Sequence, residues 1–442
     1  MAQSSAIRPE ELESLMSVCL NSSSIRWDAV NDLVKRREQG FSLEAGFYAS
    51  EDVFAADVEL IFGRHWVFAA TEGEIPEAGD FVTVNVGPYS IVIIRDDDDA
   101  INAFHNVCRH RGSRILDETR GSVGNLVCPY HSWTYNTAGS LLYAESQNAD
   151  FDRSHFGLKK VNLKNVAGLL FICLSQEPPA DMDEVASVIE PYVAPHCLPR
   201  SKVAAQVDII ENGNWKLVME NNRECYHCGV HHELANSLFP IYGYVEGYIS
   251  PRLQPVFERY TDAQSAMRQQ CSVIDIPHEA VEELDTRITG FRIEREPIDN
   301  AGESMTMDGR AASARLMGGF ETARLGRLGL HLQPNAWFHF MSDHAVTFSA
   351  LPLGPNKTLV RTTWLVDQDA VEGEDYDVEQ LKFVWEQTNN QDRELVERTQ
   401  LGVESPAYRP GPYSAPEYQV EAFCNWYVSR LSEQLPYLTN QG

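Results

Sequence analysis

Residues 104–115 read FHNVCRHRGSRI and residues 127–141 read VCPYHSWTYNTAGSL; these two stretches decide how the rest of the chain is understood. Cys108 and His110 stand on the first, Cys128 and His131 on the second, with residues 111–127 between the pairs. Two thiolates and two imidazoles are enough to hold a metal centre. Zinc accepts such a set, but zinc fingers keep like ligands together, C-x₂₋₄-C and then H-x₃₋₅-H. Here each arm carries one ligand of each kind. That suits a [2Fe–2S] cluster with both thiolates on one iron and both imidazoles on the other, because each arm then reaches both irons. Imidazole in place of thiolate raises the potential to roughly −150 to +300 mV, which makes such a cluster a one-electron carrier. Two buried cysteines with incidental surface histidines are the alternative.

Outward from these loops the pattern is one of short strands. FVTVNV (81–86), a VGPYS turn and SIVIIR (90–95) form a hairpin; INAFHNV, NLVCPY, a turn at Gly139 and VAGLLFICLS follow. The acid run Asp96–Asp99 reads as a solvated hairpin tip. QEPPADMDE (176–184) reads as a linker out of this β domain. Upstream, Leu12, Leu15 and Met16, then Trp27, Val30 and Leu33, recur at helical spacing. Downstream, helix is expected at 184–193, strand at 203–211, and helix from about 213 into the 230s. A meandering middle leads to the strands NAWFHFM, AVTFSALPL and LVRTTWLV, the last two joined by GPNK, and to helices near 377–400 and 416–434. The fold class is α+β: a β domain at 64–178 inserted in an α+β domain at 179–442, whose antiparallel sheet is flanked by helices and on which an N-terminal helical segment, 1–63, packs.

Composition narrows the function. The chain has 442 residues, room for two or three domains, and 43% are hydrophobic, enough for a sizeable core. Thirty-six basic against 64 acidic residues give a net charge of −28, which argues against nucleic acid or an anionic membrane as partner. No stretch of about twenty apolar residues exists. The opening residues carry acids and no apolar core, so no secretory leader is expected. Nine irregularly spaced cysteines read as reduced thiols, and a cytoplasmic location is expected.

A second constellation lies in NWKLVMENNRECYHCGVHHELANS (214–237). Cys225 and Cys228 form C-x-x-C, but without a second cysteine pair or a βαβ context they read as plain thiols beside a site. Three histidines within six residues point instead to a 2-His-1-carboxylate triad, which leaves positions on Fe(II) open for O₂. On an ideal helix His227 and His231 sit about 40° apart and His227 and His232 about 140° apart, so helical geometry alone selects His231. Gly229 is a plausible interruption.

The two cysteine–histidine stretches resemble the cluster loops of the Rieske-type non-haem iron oxygenases, in particular their large (α) subunits, and the similarity runs over roughly residues 45–430. The resemblance implies a Rieske [2Fe–2S] cluster on Cys108, His110, Cys128 and His131, with Tyr130 and Trp133 packed around it. It also implies a mononuclear Fe(II). Its H-x₄-H spacing selects His227 and His232, with His231 as the fallback. The third ligand is expected at Asp392, in NNQDRELVERTQLG, where Leu395, Val396 and Thr399 share its face; Glu386 and Glu397 are alternatives. Glu224, where ring-hydroxylating members carry Asp, is expected to bridge an iron-site histidine to a cluster histidine of the next subunit, and Asn221 and Tyr226 match positions lining the iron site. A head-to-tail homotrimer is implied, as is a separate NAD(P)H-dependent flavin and iron–sulfur reductase, since no dinucleotide fingerprint is present.

ENNRECYHC, with Glu224, resembles the branch acting on quaternary ammonium compounds: the glycine betaine, carnitine and proline betaine demethylases and choline monooxygenase. Length and the C-terminal YRPGPYSAPEYQVEAFCNWY resemble the glycine betaine monooxygenase type. The implied reaction is N-methyl hydroxylation with loss of formaldehyde; the alternatives are another of these substrates, or an aromatic-ring dioxygenase. A quaternary ammonium is recognised through aromatic faces. Candidates are Phe239, Tyr242, Tyr244, Trp337, His339 and Phe340, of which Trp337 and His339 share one strand face and Phe340 takes the other. The basic group for a substrate carboxylate is not identifiable from sequence.

Overall fold

The computed structural model describes residues 25–241 and 250–439, with side chains to Leu435. The chain from Val67 to Cys173 forms three small antiparallel sheets. Their strands are β1 (Val67–Thr71), β2 (Asp80–Val86), β3 (Tyr89–Arg95), β4 (Ile101–His105), β5 (Arg120–Ser122), β6 (Leu126–Val127), β7 (Thr134–Tyr135), β8 (Leu141–Tyr143), β9 (Asn162–Val166) and β10 (Leu169–Cys173). The sheet orders are β4-β3-β2-β5, β6-β7-β8 and β1-β10-β9.

SIVIIR is apolar without alternation because both its faces are covered. Ile91 and Ile93 enter the large core shared with the rest of the chain, while Val92 and Ile94 face the cluster-loop core with Phe104, Cys108, Cys128 and Trp133. At the tip after β3, Asp97–Asp99 are exposed as expected, but Asp96 is buried. It accepts from the Asp98 and Ala100 N–H groups and from Asn102 Nδ2. Gly139, at φ +84°, makes the turn before β8; a side chain there would strike the Phe104 ring.

Beyond it stands a seven-stranded antiparallel sheet: β11 (Ser201–Glu211), β12 (Val281–Glu283), β13 (Phe291–Glu296), β14 (Arg327–Leu332), β15 (Ala336–Phe340), β16 (Ala345–Gly354) and β17 (Lys357–Asp367), in the order β11-β17-β16-β15-β14-β13-β12. The helices are α1 (Trp27–Arg36), α2 (Ala45–Ala49), α3 (Glu51–Ala56), α4 (Met182–Val193), α5 (Trp215–Asn222), α6 (Gln254–Val273), α7 (Val378–Val403) and α8 (Tyr418–Thr439). One face of the sheet sends Phe291, Ile293, Phe338 and Phe340 into a core with Met182, Val185 and Ile189 of α4. The other sends Trp337, Val346, Phe348 and Trp364 against α5, α7 and α8.

Two expectations are corrected. The meandering middle contains α6, a 20-residue helix. Its sequence hid it because only Met267 and Cys271 are buried, so no apolar stripe marks the inward face. The helix expected to run from 213 into the 230s stops at Asn222. Residues Leu12, Leu15, Met16, Tyr242 and Tyr244 lie outside the described residues. No described helix is long and apolar enough to cross a membrane.

Candidate functional site

The two cluster loops are copies of one backbone turn. Cys108 N–H donates to Ser113 O at 2.8 Å, and Gly112 N–H donates back to Cys108 O at 3.0 Å. Cys128 N–H donates to Trp133 O at 2.8 Å, and Ser132 N–H to Cys128 O at 3.0 Å. The fifth residue of each loop is left-handed, Gly112 at φ +80° and Ser132 at φ +54°; the second is uncommon for a non-glycine residue. This turn buries both thiols and leaves both histidines exposed. The His110 and His131 rings are 4.7 Å apart, His110 stacks on Trp133 and His131 on Tyr130. Tyr135 OH lies 3.4 Å from Cys108 Sγ and accepts from Arg109 N–H. Burial raises the Cys108 thiol above its ordinary pKa, and the Tyr135 bond opposes this. Soft donors inside, imidazoles at the rim and free thiols on both loops suit a [2Fe–2S] cluster of the mixed-ligand kind.

The second site forms where α5 ends. Glu224 Oε2 accepts from the backbone N–H groups of Tyr226 and His227, which diverts them from helical bonding. A disulfide joins Cys225 to Cys228, correcting the reading of these as plain thiols, and a 3₁₀ turn follows at Cys228–Val230. His227 is held between two carboxylates: Nδ1 lies 2.5 Å from Glu224 Oε1 and Nε2 lies 3.2 Å from Asp392 Oδ1. Asn221 Nδ2 is 3.4 Å from the same Nε2. Burial lowers the His227 pKa, but the bonds to Asp392 and Glu224 outweigh it and raise the ring to about 9. Asp392 projects from the middle of α7, while Glu386 pairs with Lys382 and Glu397 accepts from Asn212.

The structure seats His231, not His232, beside this pair. His231 is 1% exposed with Nε2 3.4 Å from Asp392 Oδ1, whereas His232 is exposed. The chain has left the helix before either residue, so neither helical angle nor residue spacing alone decides which ring turns inward. Both ring nitrogens of His231 are buried without a hydrogen-bond partner among the described residues. Orphaned imidazole nitrogens beside a second imidazole and a carboxylate suit a metal with open positions. Cys228 Sγ is also within 4.8 Å of the histidine nitrogens, but its disulfide leaves no thiolate to coordinate.

A cavity of about 400 Å³ opens from His227 and Asp392. Of the aromatic candidates, Phe239 and His339 line it; Trp337 lines a smaller pocket that Asp392 also borders. Phe340 does not: β15 turns it to the opposite core. Sequence reasoning missed Arg223, Tyr260, His331 and Trp385, which also line the cavity, and the charged row Arg292, Glu294 and Glu296. The row was visible as strict alternation in FRIERE, since β13 buries Phe291, Ile293 and Arg295 on its other side.

The comparisons with known proteins concern the two domains that carry these groups. Residues 65–162 match the Rieske [2Fe-2S] domain, and residues 198–433 match the ring hydroxylating alpha subunit (catalytic domain). The chain belongs to this family of Rieske oxygenase α subunits, with a Rieske [2Fe–2S] domain joined to a mononuclear-iron catalytic domain. Within the family it is 44% identical to the glycine betaine monooxygenase oxygenase subunit of Chromohalobacter salexigens, over 93% of this chain and 91% of that one. It is 42% identical to the one of Pseudomonas aeruginosa, over 92% of this chain and 93% of that one. Among solved structures, a quaternary ammonium Rieske monooxygenase in complex with gamma-butyrobetaine shares the fold, at TM-score 0.65 and 20% identity over 90% of this chain and 98% of that one.

Proposed function

We propose that this chain is the terminal oxygenase subunit that hydroxylates an N-methyl group of glycine betaine, with electrons from a separate NAD(P)H-dependent flavin and iron–sulfur reductase. The observation that carries the reading is the identity of 44% to a glycine betaine monooxygenase subunit across nearly the full length of both chains. The balance is R–N(CH₃)₃⁺ + O₂ + 2e⁻ + 2H⁺ → R–N(CH₃)₂CH₂OH⁺ + H₂O. The carbinol then releases formaldehyde and leaves the protonated dimethylamine, here dimethylglycine.

The cluster would be held by Cys108, Cys128, His110 and His131, and the single iron by His227, Asp392 and one of the adjacent histidines. Bound iron supplies the oxygen-activating centre and the cluster its second electron. Around them, Glu224 fixes the His227 tautomer through Nδ1, and Asn221 sits against Nε2. The packing of Phe239 and His339 on the cavity supports their holding the cation, with Trp385 added. Burial of His231 supports it as ligand, and the family spacing supports His232; His231→Ala and His232→Ala separate them, since loss of the true ligand removes about one iron of three per chain.

A head-to-tail homotrimer fits the exposed apolar rims. Val107, Val127, Tyr130, Leu142 and Tyr143, each 43–55% exposed, surround the cluster end, and Tyr226 and Val230, each 62% exposed, flank the iron end. The test is a single turnover of reduced holoenzyme with O₂. Formaldehyde from glycine betaine is the expected product; a cis-diol from an aromatic substrate, with no formaldehyde across glycine betaine, carnitine, proline betaine and choline, would refute the reading.

A further inference from the structure

One charge on the cavity wall has no counterpart among the described residues. Arg223 is 1% exposed, and among the described residues its Nε and Nη2 have no hydrogen-bond partner while Nη1 donates to Asn222 Oδ1 at 2.9 Å. The other two arginines on this wall are paired, Arg292 with Glu282 and Glu294 and Arg327 with Glu296. No described carboxylate pairs with Arg223, and burial alone pulls its pKa down to about 9. Its neighbour His331, also on the wall, is kept neutral by burial and by the Arg223 charge, and His331 Nδ1 likewise lacks a hydrogen-bond partner among the described residues. A buried guanidinium left unpaired is costly, because desolvation is not offset by an anion.

The two free donors are the pair that forms the planar fork matching a carboxylate. The same chain shows the fit elsewhere: Arg361 uses its Nε and Nη2 to hold the two oxygens of Asp208 at 2.8 and 2.7 Å. We propose that Arg223 receives the carboxylate of the zwitterionic substrate in this way and selects betaines over quaternary ammonium compounds that lack one. This rests on the N-demethylation reading for the identity of the substrate, but the anion site itself does not. Loss of the substrate carboxylate would then leave Arg223 buried and unpaired, which is how a polar site rejects an isostere that cannot answer it.

The test is calorimetric binding to the holoenzyme of three probes: glycine betaine, tetramethylammonium, which lacks the carboxylate, and trimethylacetate, which lacks the cation. Wild type is expected to bind glycine betaine more tightly than tetramethylammonium. Arg223→Met is expected to weaken glycine betaine and trimethylacetate by at least about tenfold while changing tetramethylammonium by less than about twofold. Arg223→Lys, which keeps the charge but not the fork, is expected to lose part of that affinity and serves if the methionine variant does not fold. Equal binding of glycine betaine and tetramethylammonium by wild type overturns the proposal, as does undiminished glycine betaine affinity in either variant. The two readings fail separately. Formaldehyde from glycine betaine with unchanged affinity in Arg223→Met removes only the arginine's role, whereas Arg223-dependent trimethylacetate binding without any formaldehyde removes only N-demethylation.

Discussion

The residues proposed to hold the cluster stand out in the sequence because such a role fixes their spacing: each turn places a thiol inside and an imidazole outside, and both loops repeat the same register. The choice between His231 and His232 was not readable, since it depends on where α5 stops, and that is set by Glu224 taking two backbone N–H groups. Arg223 was equally hidden, because an arginine's burial and lack of partners exist only after folding. Glu224→Gln, which keeps an oxygen for the two backbone N–H groups but not a carboxylate for His227 Nδ1, is expected to leave iron and cluster content intact and to lower turnover by about 10–100-fold, the usual effect of losing an outer partner of a ligating histidine; stopped-flow measurement of cluster reoxidation with O₂ and substrate would show it, and unchanged reoxidation would contradict it. Glu211 gives a pH prediction. Burial, then the charges of Asp392 and Glu397, raise its carboxyl to about 8. The folded state therefore binds this proton more tightly than the unfolded one, so stability from this group is greatest in acid and falls as pH rises from about 4.5 to about 8. Glu211→Gln should gain on wild type over that interval by a few kcal/mol, seen as a melting-temperature difference that grows between pH 6 and pH 8.5; a pH-independent difference would contradict it.

At the scale of elements, the long strands and terminal helices were legible from periodicity, with β11, α4, α7 and α8 near their expected positions. What periodicity missed were α6, which buries little, and the break after α5. It was also blind to how the N-terminal segment attaches. That attachment runs through Asp57, fully buried in the π-helical turn Asp57–Phe62. Asp57 Oδ2 accepts from Trp215 Nε1 at 2.8 Å and pairs with the buried Lys216, while Oδ1 accepts from Tyr427 OH at 2.6 Å. One carboxylate thus ties α5, which leads into the iron site, to α8 and the N-terminal turn. Burial raises the Asp57 pKa against the Lys216 charge, and lowers that of Lys216 against Asp57. Asp57→Ala should strand the Lys216 ammonium and cost about 3–5 kcal/mol, measured by chemical denaturation; replacing Asp57 and Lys216 together by apolar residues should recover much of the loss.

At the scale of the whole molecule, the organisation places the exposed pair His110 and His131, proposed to hold the cluster, at one rim and the loop proposed to hold the iron at another, each bordered by exposed apolar side chains. A closed ring in which each cluster faces its neighbour's iron would bury both rims at once, as a heterologous interface must. This makes a prediction that no within-chain route shares. Cys108→Ser removes a thiolate proposed for the cluster and Asp392→Ala a carboxylate proposed for the iron, so neither variant alone should turn over. Coexpressed in equal amounts and assembled at random, half of the chains offer an intact cluster and half an intact iron. One interface in about four then joins the two, and turnover per chain should recover to about a quarter of wild type. Mixing the two proteins after separate assembly should recover nothing until the subunits exchange. If electrons passed from cluster to iron within one chain, the coexpressed mixture would stay as inactive as its parts, because no single chain in it would possess both centres.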